Sequence, residues 1–135
     1  MKKTSAILLA LCTPMLTMAG DYSVLDYGAR SDTTLLSTAA IQQAVDACSQ
    51  AGGGRVVVPA GSYKTGTIVL RSCVELHLEA GATLYGSTEL KDYYPQKSTY
   101  LSLRTQTSTI QLLYADGVHD VAITGHGIID ARGAA

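Results

Sequence analysis

The chain has 135 residues, 47% of them hydrophobic, and a formal charge of −1 at neutral pH. That length suits one domain, and the charge balance leaves no basic patch of the kind that nucleic-acid binding requires. Asparagine is absent, which excludes N-glycosylation and the asparagine ladders that line many solenoid turns.

Residues 1–20 read as a signal peptide. Lys2 and Lys3 precede an apolar run from Ala6 to Leu16, and small residues follow at Ala19 and Gly20. The run is too short to cross a bilayer well. Cleavage is expected near Ala19, with export to the periplasm or the medium and no membrane attachment of the mature chain. Lipid attachment at Cys12 is disfavoured, because Leu11 stands where a small residue belongs. Loss of Lys2 and Lys3 takes the formal charge from −1 to −3.

A short strand is predicted at Tyr22–Leu25, ended by a turn at Tyr27-Gly28. One helix is predicted from Ser37 to Gln50. Ser37 is placed to cap its N-terminus through the side-chain oxygen. Ile41, Ala44, Val45 and Cys48 fall on one apolar face, and Gln42, Gln43, Asp46 and Gln50 face away. Gly52-Gly53-Gly54 stops the helix. A single amphipathic helix ahead of stacked strands would cover the apolar interior and unpaired edge of the first coil.

Strands follow at Arg55–Val58, Thr67–Leu70, Val74–Leu78, Thr83–Tyr85, Ile110–Tyr114, Val118–Ile123 and Ile128–Asp130. They are short and β-branched, with turns too brief for crossover helices. VVVPAGSYKTGTIVL from Val56 overlays LHLEAGATLYGSTEL from Leu76. Ala60 then falls on Ala80, Gly61 on Gly81, Gly66 on Gly86 and Leu70 on Leu90. A repeat of roughly 20 residues is the period of coils in a parallel β-helix. Between Ser87 and Thr109 the pattern breaks into a polar, Tyr-rich excursion carrying Pro95. Its tyrosines are expected to pack the loop on the coils, with stacking on sugar rings as the alternative.

Four segments resemble the N-terminal part of family 28 glycoside hydrolases, the polygalacturonase-like enzymes of pectin breakdown. They are YSVLDYGARSD from Tyr22, TAAIQQAVDACSQAGGGRVVVPAGSY from Thr38, TGTIVLRSCVELHLEAGATLYGS from Thr65 and IQLLYADGVHDVAITGHGIIDARG from Ile110. The second is shared with other pectate-lyase-like β-helices; the third and fourth, at this spacing, favour the glycosidases. The resemblance implies a right-handed, single-stranded parallel β-helix of which this chain holds the first coils, with the helix as N-terminal cap. It implies an inverting hydrolase of α-galacturonide links in pectic polysaccharide, in which one carboxyl protonates the leaving oxygen while another activates water. Ser31, Thr33 and Ser37 stand where the family often has Gly, Gly and Asp, and this puts the first turn in question.

The family's catalytic set is an Asn-x-Asp, an Asp-Asp pair, a Gly-His-Gly and an Arg-x-Lys. Of these only Gly125-His126-Gly127 has a counterpart here. It lies within the stretch that resembles the family's structural turn I-T-G-x-G-x-I-D-G, so His126 takes the variable position and the glycines serve a tight bend. Glu75, His77 and Glu79 alternate onto one strand face, but residues four apart on a strand are about 13 Å apart, too far for an inverting pair at about 6.5–9.5 Å. His77 has no third metal ligand in view. Asp32, Asp116, Asp120 and Asp130 read as turn residues satisfying backbone amides. Cys48 and Cys73 are expected as two buried thiols, although an exported protein would allow them to join.

No residue is therefore assigned as catalytic, cofactor-binding or metal-binding, and no cofactor is expected. The chain is expected to stop short of the family's catalytic motifs, to be inactive alone, and to associate through an uncapped last coil. Pectic polysaccharide is the partner implied by resemblance. The alternatives are a fragment of another pectate-lyase-like protein, such as a lyase or tailspike depolymerase, and a non-catalytic carbohydrate-binding module.

Overall fold

A computed structural model describes residues 20–95 and 110–132. Its order is β1 (Gly20–Ser23), a 3-10 turn (Val24–Tyr27), α1 (Thr38–Gln50), β2 (Gly54–Val58), β3 (Gly61–Thr65), β4 (Ile68–Val69), β5 (Val74–Leu78) and β6 (Ala82–Gly86). A second 3-10 turn (Leu90–Asp92), β7 (Leu113–Tyr114), β8 (Ala122–Gly125) and β9 (Ile128–Asp130) complete it. The strands form three sheets, in the orders β1-β2-β5-β8, β3-β6-β9 and β4-β7. Every pairing is parallel. The chain thus passes through the same walls in turn, as a parallel β-helix does. The signal-peptide reading of residues 1–20 lies outside the described residues except for Gly20, which opens β1 and pairs with Gly54, and most of the Tyr-rich excursion lies outside them too.

Inward residues stack in files. Val56 lies on Leu76 and Leu76 on Ile123; Tyr63 lies on Leu84 and Leu84 on Ile129; Ile68 lies on Leu113. Val56, Leu76, Tyr63, Leu84 and Ile68 are buried and Leu113 is partly buried, whereas Ile123 is 48% and Ile129 38% exposed. Each buried aliphatic side chain contributes about 1.5–3 kcal/mol by leaving water, so coil-on-coil stacking is the main stabilising term. β8 and β9 have nothing over them among the described residues.

The strand at Gly61–Thr65 was not predicted, because GSYKT shows one large apolar residue and no alternation. Pairing with β6 makes it a strand, and Tyr63 is its buried member. The repeat also slips. Val56 aligns with Leu76, but Gly61 aligns with Ala82 rather than Gly81. The corner after β5 holds one more residue than the corner after β2. Beyond Gly86 the likeness ends: Leu70 is buried, whereas Leu90 is 71% exposed in the second 3-10 turn.

The predicted apolar face of α1 is buried as expected at Ile41, Ala44, Val45 and Cys48. Its ends are built differently from each other. Gly52 N–H donates to the Ser49 carbonyl and Gly53 N–H to that of Cys48, with Gly52 at φ +99°; this is a Schellman stop. Ser37 does not cap the helix with its side chain. Its Oγ accepts from Arg30 N–H at 3.2 Å instead, closing the preceding loop.

The outer edge of the first coil is satisfied residue by residue. β1 pairs with β2. Along β3, Ser62 N–H donates to Ser31 Oγ at 2.9 Å, Ser37 N–H to the Lys64 carbonyl at 2.8 Å, and Gly66 N–H to Thr38 Oγ1 at 2.7 Å. Gln42 does not face away. Its amide binds both backbone groups of Val69 in β4. Ser31 and Ser37, which depart from the family pattern, thus help to build this edge.

Candidate functional site

The outward face of the four-stranded sheet carries two files of side chains. Asp21, Arg55, Glu75 and Ala122 form one; Ser23, Val57, His77 and Thr124 form the other. Alternation puts them outside because Val56, Leu76 and Leu78 are inside. Arg55 Nε meets Asp21 Oδ1 at 3.2 Å. Thr124 Oγ1 donates to Glu75 Oε2 at 2.8 Å and lies 2.8 Å from His77 Nδ1. The hydroxyl has one proton and gives it to the carboxylate, so its oxygen accepts from His77 Nδ1–H.

Glu79 does not share this wall. β5 ends at Leu78, and Glu79 begins the corner, its N–H donating to the Val58 carbonyl at 3.0 Å. Glu75 therefore has no second carboxylate on its own strand, and inverting hydrolysis needs two.

His126 lies on the bend between β8 and β9 and is exposed. Gly125 has φ +103°, and a Cβ there would run into the Leu78 carbonyl. The N–H groups of His126 and Gly127 both donate to that carbonyl, at 3.0 and 3.2 Å. The two glycines thus serve close backbone approach.

The aspartates divide into two kinds. Asp32 Oδ1 accepts from Thr34 N–H at 2.8 Å and from the Thr34 hydroxyl at 2.6 Å, which holds its carboxyl below the ordinary value of 3.8. Asp130 Oδ1 accepts from Arg132 N–H at 2.9 Å. These two satisfy turn amides as predicted. Asp116 meets the Tyr114 hydroxyl at 3.0 Å, and Asp120 Oδ2 meets His119 Nδ1 at 2.9 Å.

Cys48 is buried, and burial pushes its thiol up from the ordinary value. Cys73 is not buried. It is half-exposed in the turn before β5, with φ +65°. Neither cysteine is in a disulfide. Sequence reading kept Cys73 apart from His119 and Asp120, 46 and 47 positions on; coil stacking brings them together. A cavity of about 340 Å³ between α1 and β4 includes Gln42, Val69, Arg71 and Tyr94. Two of its polar side chains are already engaged, Gln42 on Val69 and Arg71 on Asp46. In the excursion, Tyr93 donates to the Ser87 carbonyl at 2.7 Å and packs locally, while Tyr94 is 64% exposed.

No protein-family model matches the chain. It is 40% identical over 119 residues to an exo-poly-alpha-D-galacturonosidase of Dickeya chrysanthemi, a match covering 82% of this chain and 19% of that protein. The structure of the Yersinia enterocolitica family 28 exopolygalacturonase superposes with a TM-score of 0.75 at 36% identity, over 85% of this chain and 21% of that one. The chain is a homologue of the family 28 polygalacturonases. It shares their parallel β-helix fold and spans about a fifth of the length of these two relatives. It is also 31% identical over 116 residues to alginate lyase 7 of Azotobacter vinelandii, across 78% of this chain and 13% of that one.

Proposed function

We propose that this chain is the opening part of an exported, pectin-directed glycoside hydrolase, and that it carries none of the reacting groups itself. The supporting observation is the match to the galacturonosidase over 82% of the chain but 19% of that protein. We infer that the coil winds right-handed, the hand taken by nearly all parallel strand crossovers, and that α1 with residues Ser31–Thr38 closes its first turn. The bonds along the outer edges of β3 and β4 support that role.

The sequence has no Asn-x-Asp, no adjacent aspartates and no Arg-x-Lys, and Gly125-His126-Gly127 is occupied by backbone packing. The test is reducing-end release from polygalacturonate by the purified chain. No release above a vector-only control is expected. Release that vanishes in His126→Ala would overturn the reading. Formation of unsaturated uronate, read by ultraviolet absorbance on pectate or alginate, would instead favour a lyase. Binding of oligogalacturonate without turnover would favour a carbohydrate-binding module.

The same reading makes β8 and β9 the layer on which a further coil stacks. In this chain alone, Ile123 and Ile129 are expected to drive association. Light scattering over a concentration series should show a mass that rises with concentration and falls in Ile123→Lys. A concentration-independent monomer would argue for a self-capped module.

A further inference from the structure

We propose that Cys73, His119 and Asp120 form a Zn²⁺ site at a stacked corner of the coil. Among the described residues this is the one place where three such side chains converge, their ligand atoms all within 4.8 Å of one another. Cys73 Sγ lies 4.0 Å from His119 Nδ1, which lies 2.9 Å from Asp120 Oδ2. Around a tetrahedral zinc, thiolate, imidazole and carboxylate ligands at their usual bond lengths sit about 3.3–3.6 Å apart. The present separations of 4.0 and 2.9 Å lie on either side of that spacing, and the His119 and Asp120 side chains are exposed.

The backbone beneath is already joined. Cys73 N–H donates to the His119 carbonyl at 3.0 Å, and His119 N–H to Ser72 Oγ at 3.2 Å. The turn before β5 therefore lies directly beneath the turn before β8, and the ligands come from two coils. Cys73 and Asp120 both hold positive φ, at 65° and 54°.

The donor set suits zinc. A thiolate, a neutral imidazole and a carboxylate together balance the two positive charges and mix the soft and nitrogen ligands that zinc takes. Binding releases the Cys73 thiol proton to solvent and places the imidazole proton on Nε2, freeing Nδ1 for the metal. A water would complete the four ligands. The surrounding depression, about 610 Å³, is lined by Asp21, Arg55, Cys73, Glu75, Asp120 and Ala122. Its three carboxylates outnumber one guanidinium, which favours a cation. This inference stands independently of the proposed glycosidase role. A bound ion would clip two coils together.

The test is titration of the reduced full chain with Zn²⁺ alone and with Co²⁺ alone as a spectroscopic probe. One equivalent is expected to bind, with a thiolate-to-cobalt charge-transfer band. Cys73→Ser should abolish the band, and His119→Ala and Asp120→Asn should each weaken binding by at least about tenfold. Cys12→Ser and His77→Ala should change neither. Zn²⁺ should also slow alkylation of Cys73 in the native chain and fail to do so in His119→Ala, a readout that survives if Cys73→Ser does not fold. Absence of saturable binding, a band that persists without Cys73, or binding lost only in His77→Ala would overturn the proposal.

Discussion

The side-chain amide of Gln42 stands in for a strand beside Val69: its Nε2 donates to the Val69 carbonyl at 2.9 Å, and its Oε1 accepts from the Val69 N–H at 2.8 Å. One helical side chain thereby satisfies both backbone groups on the open side of β4. The other side pairs with β7. A coil below would ordinarily supply such bonds.

Gln42→Ala is therefore expected to destabilise the chain by about 1–3 kcal/mol, the cost of stranding backbone polar groups at half-buried Val69. Gln43→Ala, one position along on an exposed residue, should cost almost nothing. Denaturant unfolding of the two variants checks this, and equal effects would show that the amide bonds are immaterial.

Gly125 and His126 should part in the opposite sense to a catalytic Gly-His-Gly. Gly125→Ala puts a Cβ into the Leu78 carbonyl at positive φ, and a loss above about 4 kcal/mol is expected for such combined strain and clash. His126→Ala alters an exposed side chain and should fall within about 0.5 kcal/mol of the parent. Thermal unfolding of the pair decides between them.

The two thiols should differ in reactivity. Cys48 is fully buried with its thiol held up by desolvation, whereas Cys73 is half-exposed. In metal-free buffer, native-state alkylation followed by mass spectrometry should label Cys73 first, with Cys48 labelled only on unfolding. Equal rates would mean that the helix opens locally.

Asp32 carries a small acid-sensitive contribution. The hydrogen bonds from Thr34 lower its folded-state pKa below 3.8. Its stabilising effect is therefore present above the unfolded value and is lost as pH falls through the lower folded value. Asp32→Asn mimics the protonated form, so its unfolding temperature should sit below the parent's at pH 7. The gap should close below pH 3.8. A gap unchanged across that range would remove Asp32 from the account.

Most of the architecture was legible in the chain itself. β5 and β9 fall where alternation and β-branched runs place them, and the apolar face of α1 follows from helical spacing alone. These are local signals, because period and turn chemistry act within a few residues. The offset between Val56 and Leu76 was also readable, since stacked coils repeat their inward residues. The motifs around Ile110–Gly133 carry the likeness to polygalacturonases in the sequence alone.

The tertiary structure decided the rest. Whether GSYKT is a strand depended on a partner, because Tyr63 becomes an inward residue only when Leu84 lies on it. Whether Gln42 faced water depended on where β4 ended up, since an amide is polar enough for solvent and also fits an unpaired strand edge. Cys73 met His119 and Asp120 only because β8 stacks on β5, which puts the turns before these two strands one above the other. Composition and spacing describe what each segment can bury; stacking determines which distant side chains then share a corner.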